Sequence, residues 1–196
     1  QTIDKYNKVL VIYGGGSIKK NGVYDQVISS LKNHTWIEFA GVEANPTIET
    51  LDKAVAIAKE EKVEFIIAVG GGSVIDGSKY VAAAANYEGY GWDILTGKHQ
   101  VTKAIPIGAV LTLPATGSES NMGAVITRKE TQEKLAFMTP EVQPIFAILD
   151  PDVMKSLPEN QLINGLIDAW VHVCEQYITI QTNSMVQDGY AEALLK

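Results

Sequence analysis

Short, uninterrupted apolar runs recur along the first three quarters of the chain. Residues 9–13, 65–69 and 105–113 are runs of this kind, and residues 35–39 form a more mixed one. Continuous apolar runs of this length predict strands that are buried on both faces, as in parallel sheets.

Segments with helical spacing of apolar residues separate these runs, at residues 23–31, 47–61 and 78–86. Asn45 followed by Pro46 is typical of a helix start, with Asn45 as the cap. Ser73 to Asp76 has the form of a capping box. Alternation of strands and helices implies right-handed βαβ crossovers and hence an α/β fold with a parallel sheet.

The pattern changes after Asp150. Before it, further short strands are predicted at 124–127, 135–137 and 145–149. After it, two helical stretches are predicted, at 159–180 and 184–196, and the chain stops in mid-helix. We therefore expect an α/β domain over 1–150, and in 151–196 the beginning of a second, helical domain of which only the opening is present.

Composition and charge exclude several classes of protein. A net charge of −7 over 196 residues disfavours nucleic acid and anionic membranes as partners. No apolar run reaches membrane length, and we expect no signal peptide. Cys174 is the single cysteine, so an internal disulfide is impossible, and a cytoplasmic location is expected.

Two glycine-rich turns follow predicted strands. One comprises Gly14, Gly15, Gly16 and Ser17, and the other runs from Gly70 to Ser73. A strand that ends in glycines before a helix leaves backbone N–H groups and a helix dipole facing one point, which suits a phosphate. Neither turn has the full dinucleotide fingerprint, and the alternative is a tight strand–helix turn without a ligand.

The first glycine turn also bears on the choice of dinucleotide. NAD sites often carry an acidic residue just after a strand, where it binds the ribose 2′-hydroxyl. Here the strand is followed by glycines, Ser17 and then Lys19 and Lys20, which would tolerate a 2′-phosphate. The two lysines could equally be a solvated helix face.

A third turn after a predicted strand is rich in hydroxyl groups. Thr112, Thr116, Ser118 and Glu119 follow one another there. Hydroxyls at such a strand end can bind a pyrophosphate or the nicotinamide amide, and the alternative is a structural Ser/Thr turn.

Asp168 and His172 stand four residues apart in the long predicted helix, so their side chains share one face. An oxygen and a nitrogen ligand at this spacing can bind one divalent metal ion. The helix is apolar on most sides, and burying an unpaired carboxylate there would be costly. The alternatives are a polar pair on a solvent face or a satisfied core histidine. His34 and His99 are expected at the surface, and Cys174 as a buried small hydrophobe.

Five stretches of the chain together resemble the iron-dependent (group III) alcohol dehydrogenases, in the branch of NADPH-dependent butanol dehydrogenases and broad aldehyde reductases. They are YGGGSIKKNG, AVGGGSVIDGSKYVAAAANY, LTLPATGSESN, FAILDPDVMKSLP and NGLIDAWVHVCEQYIT. The resemblance implies a Rossmann-like NADP-binding domain followed by an all-helical metal-binding domain, about half of a full family member, and a homodimer. It implies Fe²⁺, with Zn²⁺ as the rival, bound by Asp168, His172 and two histidines that lie outside this chain.

The resemblance also implies roles for individual residues. Gly15 matches the position where NAD-preferring relatives carry an aspartate. The implied cofactor contacts are Gly14, Gly15, Gly16, Ser17, Asn45, Gly71, Gly72, Ser73, Asp76, Thr112, Thr116, Ser118 and Lys134.

The implied reaction is hydride transfer between the nicotinamide of NADP(H) and a primary alcohol or aldehyde, with the metal as Lewis acid. Asp168 and His172 would act through the metal, and this segment alone is expected to be inactive. The alternatives are a glycerol-type polyol dehydrogenase and a non-catalytic nucleotide-binding module.

Overall fold

The computed structural model describes residues 2–179 and 183–196. Contacts divide the chain into two compact units, one ending at Lys155 and the other beginning at Ser156. This division lies a few residues beyond Asp150, where the sequence pattern changes. Each unit is described by itself.

The first unit is built on a parallel sheet of five strands, counted over the described residues. The strands are β1 (Lys8–Tyr13), β2 (Thr35–Phe39), β3 (Phe65–Gly71), β4 (Ile107–Leu113) and β7 (Phe146–Leu149). Their order in the sheet is β2-β1-β3-β4-β7, and every neighbouring pair is parallel. The apolar runs that predicted β1, β3 and β4 form the centre of the sheet, where both faces are covered.

Helices lie on both faces of this sheet. They are α1 (Ser17–Lys20), α2 (Val23–Ser30), α3 (Ile48–Glu60), α4 (Gly72–Ala84), α5 (Trp92–Leu95) and α6 (Pro151–Met154). Alternate residues of β1 divide between the faces: Val9 and Val11 pack with α2, whereas Leu10 and Ile12 pack with α3 and α4. This layered arrangement confirms the predicted Rossmann-like α/β fold.

Two of the predicted short strands do not join the parallel sheet. β5 (Gly123–Arg128) and β6 (Glu133–Met138) pair with each other in an antiparallel hairpin. Ala124 and Ile126 are buried, and β5 contacts α3 and α4, so the hairpin extends the core on that side. An isolated bridge from Thr47 to Thr127 ties it to the start of α3.

The second unit contains two helices in its described residues, α7 (Glu159–Thr179) and α8 (Met185–Leu194). Both were predicted, and Ile180, where the sequence pattern ends the first of them, lies outside the described residues. No described residue of either helix is buried. Nor, within the described residues, is any helix long and apolar enough to cross a membrane.

The absence of buried residues in α7 corrects an expectation. Leu166 is 65% exposed and Ile167 56% exposed, although the apolar pattern of the helix predicted an enclosed environment for Asp168. The reason is that α8 is the one other described element of this unit, and the two helices leave an open groove of about 830 Å³ between them.

Candidate functional site

Three turns meet at one edge of the sheet because β1, β3 and β4 are adjacent and parallel. Each turn follows the carboxyl end of its strand. They are the Gly14–Ser17 turn, the glycine turn before α4 and the hydroxyl-rich turn after β4. In open α/β sheets ligands bind in the crevice beyond this edge, so the fold brings together the turns that the sequence singled out.

The Gly14–Ser17 turn is tight at its backbone. The Gly14 carbonyl accepts a hydrogen bond from Gly41 N at 3.0 Å, and a Cβ at Gly14 would lie 3.1 Å from the carbonyl oxygen of Val42. Gly16 has φ +93°, a left-handed conformation that favours glycine. Ser17 then begins α1. Gly14 and Gly16 are therefore needed for the backbone conformation of this turn, whether or not a ligand binds.

Gly15 differs from its two neighbours. No atom of the described residues lies within 4 Å of a Cβ built there, and its φ is outside the left-handed region. The residue is also exposed. A side chain at this position would meet solvent rather than protein.

The turn before α4 is sharper than the sequence suggested. β3 continues through Gly71 and α4 begins at the next residue, with Gly71 as its N-cap. The capping-box prediction is wrong, because within the described residues no side chain caps this helix. Ser73 Oγ instead accepts a hydrogen bond from Asn45 N at 3.3 Å.

The start of α4 is consequently suited to an anion. Its first turn carries no acidic residue, and its leading N–H groups carry the positive end of the helix dipole. A phosphate could accept from these N–H groups, as at other helix N-termini. The residues present therefore fit the pyrophosphate of a dinucleotide.

Thr116 of the hydroxyl-rich turn lies directly against this helix start. A Cβ at Gly72 would be 2.4 Å from Thr116 Oγ1, closer than a Cβ approaches a non-bonded atom in real structures. Thr116 Oγ1 also accepts a hydrogen bond from Ser118 N at 3.2 Å. The close approach of the two turns thus depends on glycine at position 72. The other threonine of this region, Thr112, is half-buried at the end of β4.

Asp76 and Ser118, both predicted cofactor contacts, bond to each other. Ser118 Oγ donates to Asp76 Oδ1 at 2.5 Å, and Val125 N donates to Asp76 Oδ2 at 2.9 Å. Ser118 is buried. Its hydroxyl proton is therefore engaged inside the protein rather than turned towards a ligand.

Lys79 belongs to the same network, and sequence reasoning did not select it. It is fully buried, and its ammonium contacts Ser118 Oγ, Asn121 Oδ1 and the Gly123 carbonyl. The available signal was a lone lysine among the alanines and valines of a helix that packs against a sheet.

Asn45 and Lys134 are brought together near Ser73, in the first turn of α4. Lys134 Nζ donates to Asn45 Oδ1 at 2.7 Å. Asn45 has φ +55° and does not cap a helix. That prediction is wrong, because the N-cap of α3 is Thr47.

A charged cluster borders the first glycine turn. The Lys19 ammonium lies 4.5 Å from the ring centre of Tyr24 and 3.9 Å from Glu38 Oε1. A hydrogen bond with the Tyr13 side chain raises the pKa of Lys19, and Glu38 adds to this effect. Tyr24 donates to Glu38 Oε2 at 2.7 Å. Sequence reasoning missed Glu38 because it belongs to the neighbouring strand.

Asp168 and His172 lie side by side on α7. The distance from Asp168 Oδ2 to His172 Nε2 is 3.5 Å, and the side chains are 53% and 63% exposed. Two donors of a tetrahedral metal with bonds of about 2.0–2.2 Å would stand roughly 3.4 Å apart, so the pair fits as two ligands. The described residues contain no group of three or more His, Cys, Asp or Glu side chains that could hold a metal.

The other histidines are engaged elsewhere. His34 was predicted at the surface, which is wrong: its side chain is 9% exposed and its Nδ1 lies 2.9 Å from the Tyr6 carbonyl oxygen. His99 stacks on the ring of Tyr87 with 3.7 Å between ring centres. Cys174 is half-buried and unpaired in the described residues.

Fold and turns together define a Rossmann-like α/β protein with a phosphate-suited edge. Residues 1–151 match the family model for iron-containing alcohol dehydrogenase. The chain belongs to this family, as the resemblance in its motifs predicted.

Individual relatives agree with this assignment. The chain is 54% identical over 191 residues to the NADPH-dependent aldehyde reductase YqhD of Escherichia coli, covering 96% of this chain and 49% of that protein. It is 51% identical over 199 residues to a probable NADH-dependent butanol dehydrogenase 1 of Bacillus subtilis, covering 100% of this chain and 51% of that protein. A crystal structure of E. coli YqhD superposes with a TM-score of 0.89 at 53% identity, covering 96% of this chain and 49% of that one.

The chain thus spans about half the length of these relatives. The two curated relatives are named for different coenzymes, NADPH for one and NADH for the other. Membership of the family supports a nicotinamide dinucleotide and iron, and the names leave the choice between NADP and NAD open.

Proposed function

We propose that this chain binds NADP(H) at the carboxyl edge of its parallel sheet. We further propose that it serves hydride transfer between the nicotinamide and a small primary alcohol or aldehyde, as part of an alcohol dehydrogenase or aldehyde reductase. The observation that carries the proposal is the meeting of three turns at the uncapped start of α4, with Thr116 packed on Gly72. Family membership supports it.

In this proposal the protein's own groups bind and orient the cofactor. The leading N–H groups of α4 bind the pyrophosphate, and the absence of a side chain at Gly71 and Gly72 lets it approach the backbone. The hydroxyls of Thr112 and Thr116 donate to the dinucleotide. Lys134 and Asn45, whose side chains are hydrogen-bonded at 2.7 Å, would hold a ribose.

The preference for NADP over NAD rests on Gly15. A carboxylate there would repel a 2′-phosphate, and glycine leaves the position open to it. The Lys19 ammonium adds positive charge beside the turn, although Glu38 at 3.9 Å offsets part of it. The proposal therefore does not depend on Lys19.

Asp168 and His172 would hold a divalent metal, Fe²⁺ rather than Zn²⁺, together with ligands from outside this chain. Such a metal would polarise the substrate carbonyl or lower the pKa of the alcohol. These two residues would supply one oxygen donor and one nitrogen donor from a single helix face. Assembly as a homodimer and a cytoplasmic location stay predictions from the sequence.

The test is a fluorescence titration of the chain with NADPH and NADH, on wild type, Gly15→Asp and Gly15→Asn. Wild type should bind NADPH more tightly than NADH. Gly15→Asp should lower the NADPH-to-NADH affinity ratio by about tenfold or more, which corresponds to about 1.4 kcal/mol. Gly15→Asn, which has the same shape without the charge, should lower it much less.

Two outcomes would contradict the proposal. A folded wild-type chain that binds neither nucleotide would remove the dinucleotide site. Equal losses in the two variants would show that bulk at residue 15, and not its charge, determines the affinity ratio.

A further inference from the structure

Lys79 is a charged side chain in the interior of the first unit. It lies on α4 between the buried Ser78 and Tyr80, and none of its surface is accessible. An ammonium group loses its hydration when it is buried and is tolerated only where protein acceptors replace the lost water. The contacts of Lys79 therefore indicate what holds it there.

All three N–H donors of the ammonium have acceptors. Lys79 Nζ lies 3.0 Å from Ser118 Oγ, 2.9 Å from Asn121 Oδ1 and 2.8 Å from the Gly123 carbonyl oxygen. The three acceptors belong to one short segment, residues 118–123. Lys79 thus ties α4 to the segment that connects β4 to the β5–β6 hairpin.

The ammonium also sets the direction of the Ser118 hydroxyl. Because Lys79 can donate but not accept, Ser118 Oγ must accept from it. The hydroxyl proton is then left for Asp76 Oδ1, at 2.5 Å. Asp76 completes the network by accepting from Val125 N at 2.9 Å.

Ser118 is two residues from Thr116, whose side chain lies against Gly72. Ser118 N donates to Thr116 Oγ1 at 3.2 Å, so the position of Ser118 influences that of Thr116. Thr116 in turn borders the start of α4, where a Cβ on Gly72 would be 2.4 Å away from Thr116 Oγ1. A chain of direct contacts therefore runs from Lys79 to the edge of the sheet.

We propose that Lys79 is a positioning residue of the cofactor site, whose ammonium holds the Thr116–Ser118 turn in place beside the first turn of α4. This inference rests on the proposed dinucleotide site. Lys79 itself touches no ligand in this arrangement. Its contribution is preorganisation, because a turn that is already fixed loses less entropy when the dinucleotide binds.

The protonation state of Lys79 gives the proposal a distinctive signature. Burial lowers the pKa of Lys79 to about 8, and the charged groups that face it, Asp76 on α4 and Glu119 beside Ser118, oppose this shift. A neutral amine has two N–H donors for three acceptors. One contact to residues 118–123 must then be lost, so cofactor affinity should fall as pH rises through about 8.

The test compares Lys79→Met with Lys59→Met in the full chain. Lys59 is the matched control because its ammonium also donates to a backbone carbonyl, that of Tyr87, but from the last turn of α3. That turn precedes β3, so it lies at the opposite edge of the sheet. Stability is followed by urea unfolding, and NADPH affinity by fluorescence between pH 7 and pH 9.5.

At pH 7, Lys79→Met should weaken NADPH binding about tenfold or more, and Lys59→Met should stay within about twofold of wild type. The affinity of wild type and of Lys59→Met should fall as pH passes through about 8, relative to that of Lys79→Met. If Lys79→Met does not fold, Asn121→Ala replaces it. That variant removes one exposed acceptor, so it should weaken binding severalfold with little loss of stability.

Equal NADPH affinity and equal pH profiles in wild type and a folded Lys79→Met would overturn the role of Lys79 and leave the dinucleotide site standing. If Lys79→Met does not fold, unchanged affinity in Asn121→Ala and a flat wild-type pH profile would do the same. Failure of the folded wild type to bind NADPH would overturn the proposed function and this inference together.

Discussion

Helices α4 and α7 both carry residues for which the sequence predicted a role in cofactor or metal binding, yet α4 is buried and α7 is exposed. In α4 every residue except Ser73 and Asp76 is buried, and those two are half-buried. In α7 no residue is buried, and Trp170 is 51% exposed. An apolar pattern therefore indicates which side chains of a helix can be buried. Whether they are buried depends on a second surface that packs against the helix.

The polar residues of the two helices differ in the same way. Asp76 has its two oxygens occupied, by Ser118 and Val125. Asp168 and His172 are exposed and 3.5 Å from each other. A polar side chain whose contacts are complete contributes to the fold, and one that remains accessible is available to a ligand. The following predictions test this contrast.

The largest difference is expected between Ile75→Ala on α4 and Ile167→Ala on α7. Ile75 is fully buried and Ile167 is 56% exposed. Removing buried methylene groups leaves a cavity and should lower the free energy of unfolding by about 2–5 kcal/mol. The exposed change should stay within about 0.5 kcal/mol. Urea unfolding followed by circular dichroism measures both, and similar losses would show that Ile167 is buried in solution.

A smaller difference is expected between Asp76→Asn and Asp168→Asn. The first weakens charge-assisted hydrogen bonds beside the buried Lys79 ammonium and should cost about 1.5–3 kcal/mol of unfolding free energy. The second weakens an exposed pair and should cost about 0.5 kcal/mol or less. The same urea experiment applies. A loss below about 0.5 kcal/mol for Asp76→Asn would mean that its network contributes little to stability.

The smallest effect concerns metal binding by α7. Zn²⁺ added to the chain should bind weakly, because two donors are fewer than a metal site requires. When the free Zn²⁺ concentration equals Kd, the gain in stability would be about 0.4 kcal/mol. Proton NMR of the imidazoles should show the His172 signals shifting first.

The matched variants for this experiment are His172→Ala and His99→Ala. The first should abolish the Zn²⁺ effect, and the second should leave it, because His99 stacks on Tyr87 in the other unit. An unchanged response in His172→Ala would exclude the pair as ligands in this chain.

The local features of the fold could be predicted from the sequence. The buried runs of β1 and β3 and the glycines after them depend on residues next to one another in the chain, so their pattern is visible without the structure. The α/β class followed from that alternation, whereas the strand order that brings the three turns to one edge is known only from the structure.

The features that depend on distant residues could not be predicted. The pairing of Lys79 with residues 118–123 joins segments far apart in the chain, and a lysine in a helix ordinarily indicates a solvated face. Capping failed for a related reason. Asn45 and Ser73 have suitable side chains, but neither caps a helix. The Asn45 side chain accepts from Lys134, and the Ser73 hydroxyl accepts from the Asn45 backbone N–H.

The strand order also has a consequence for the course of folding. β1 pairs with β3 such that Val9 lies opposite Phe65, so this contact closes a long loop. Pairing of this kind is slow, because the chain loses conformational entropy on closing the loop before the contacts stabilise it. In the β5–β6 hairpin Arg128 lies opposite Glu133, so the loop between the strands is short. Isolated hairpins with such loops form within microseconds. The hairpin is therefore able to form well before the sheet. The contacts of Asn121 and Gly123 with Lys79 would then form later, when α4 packs against the hairpin.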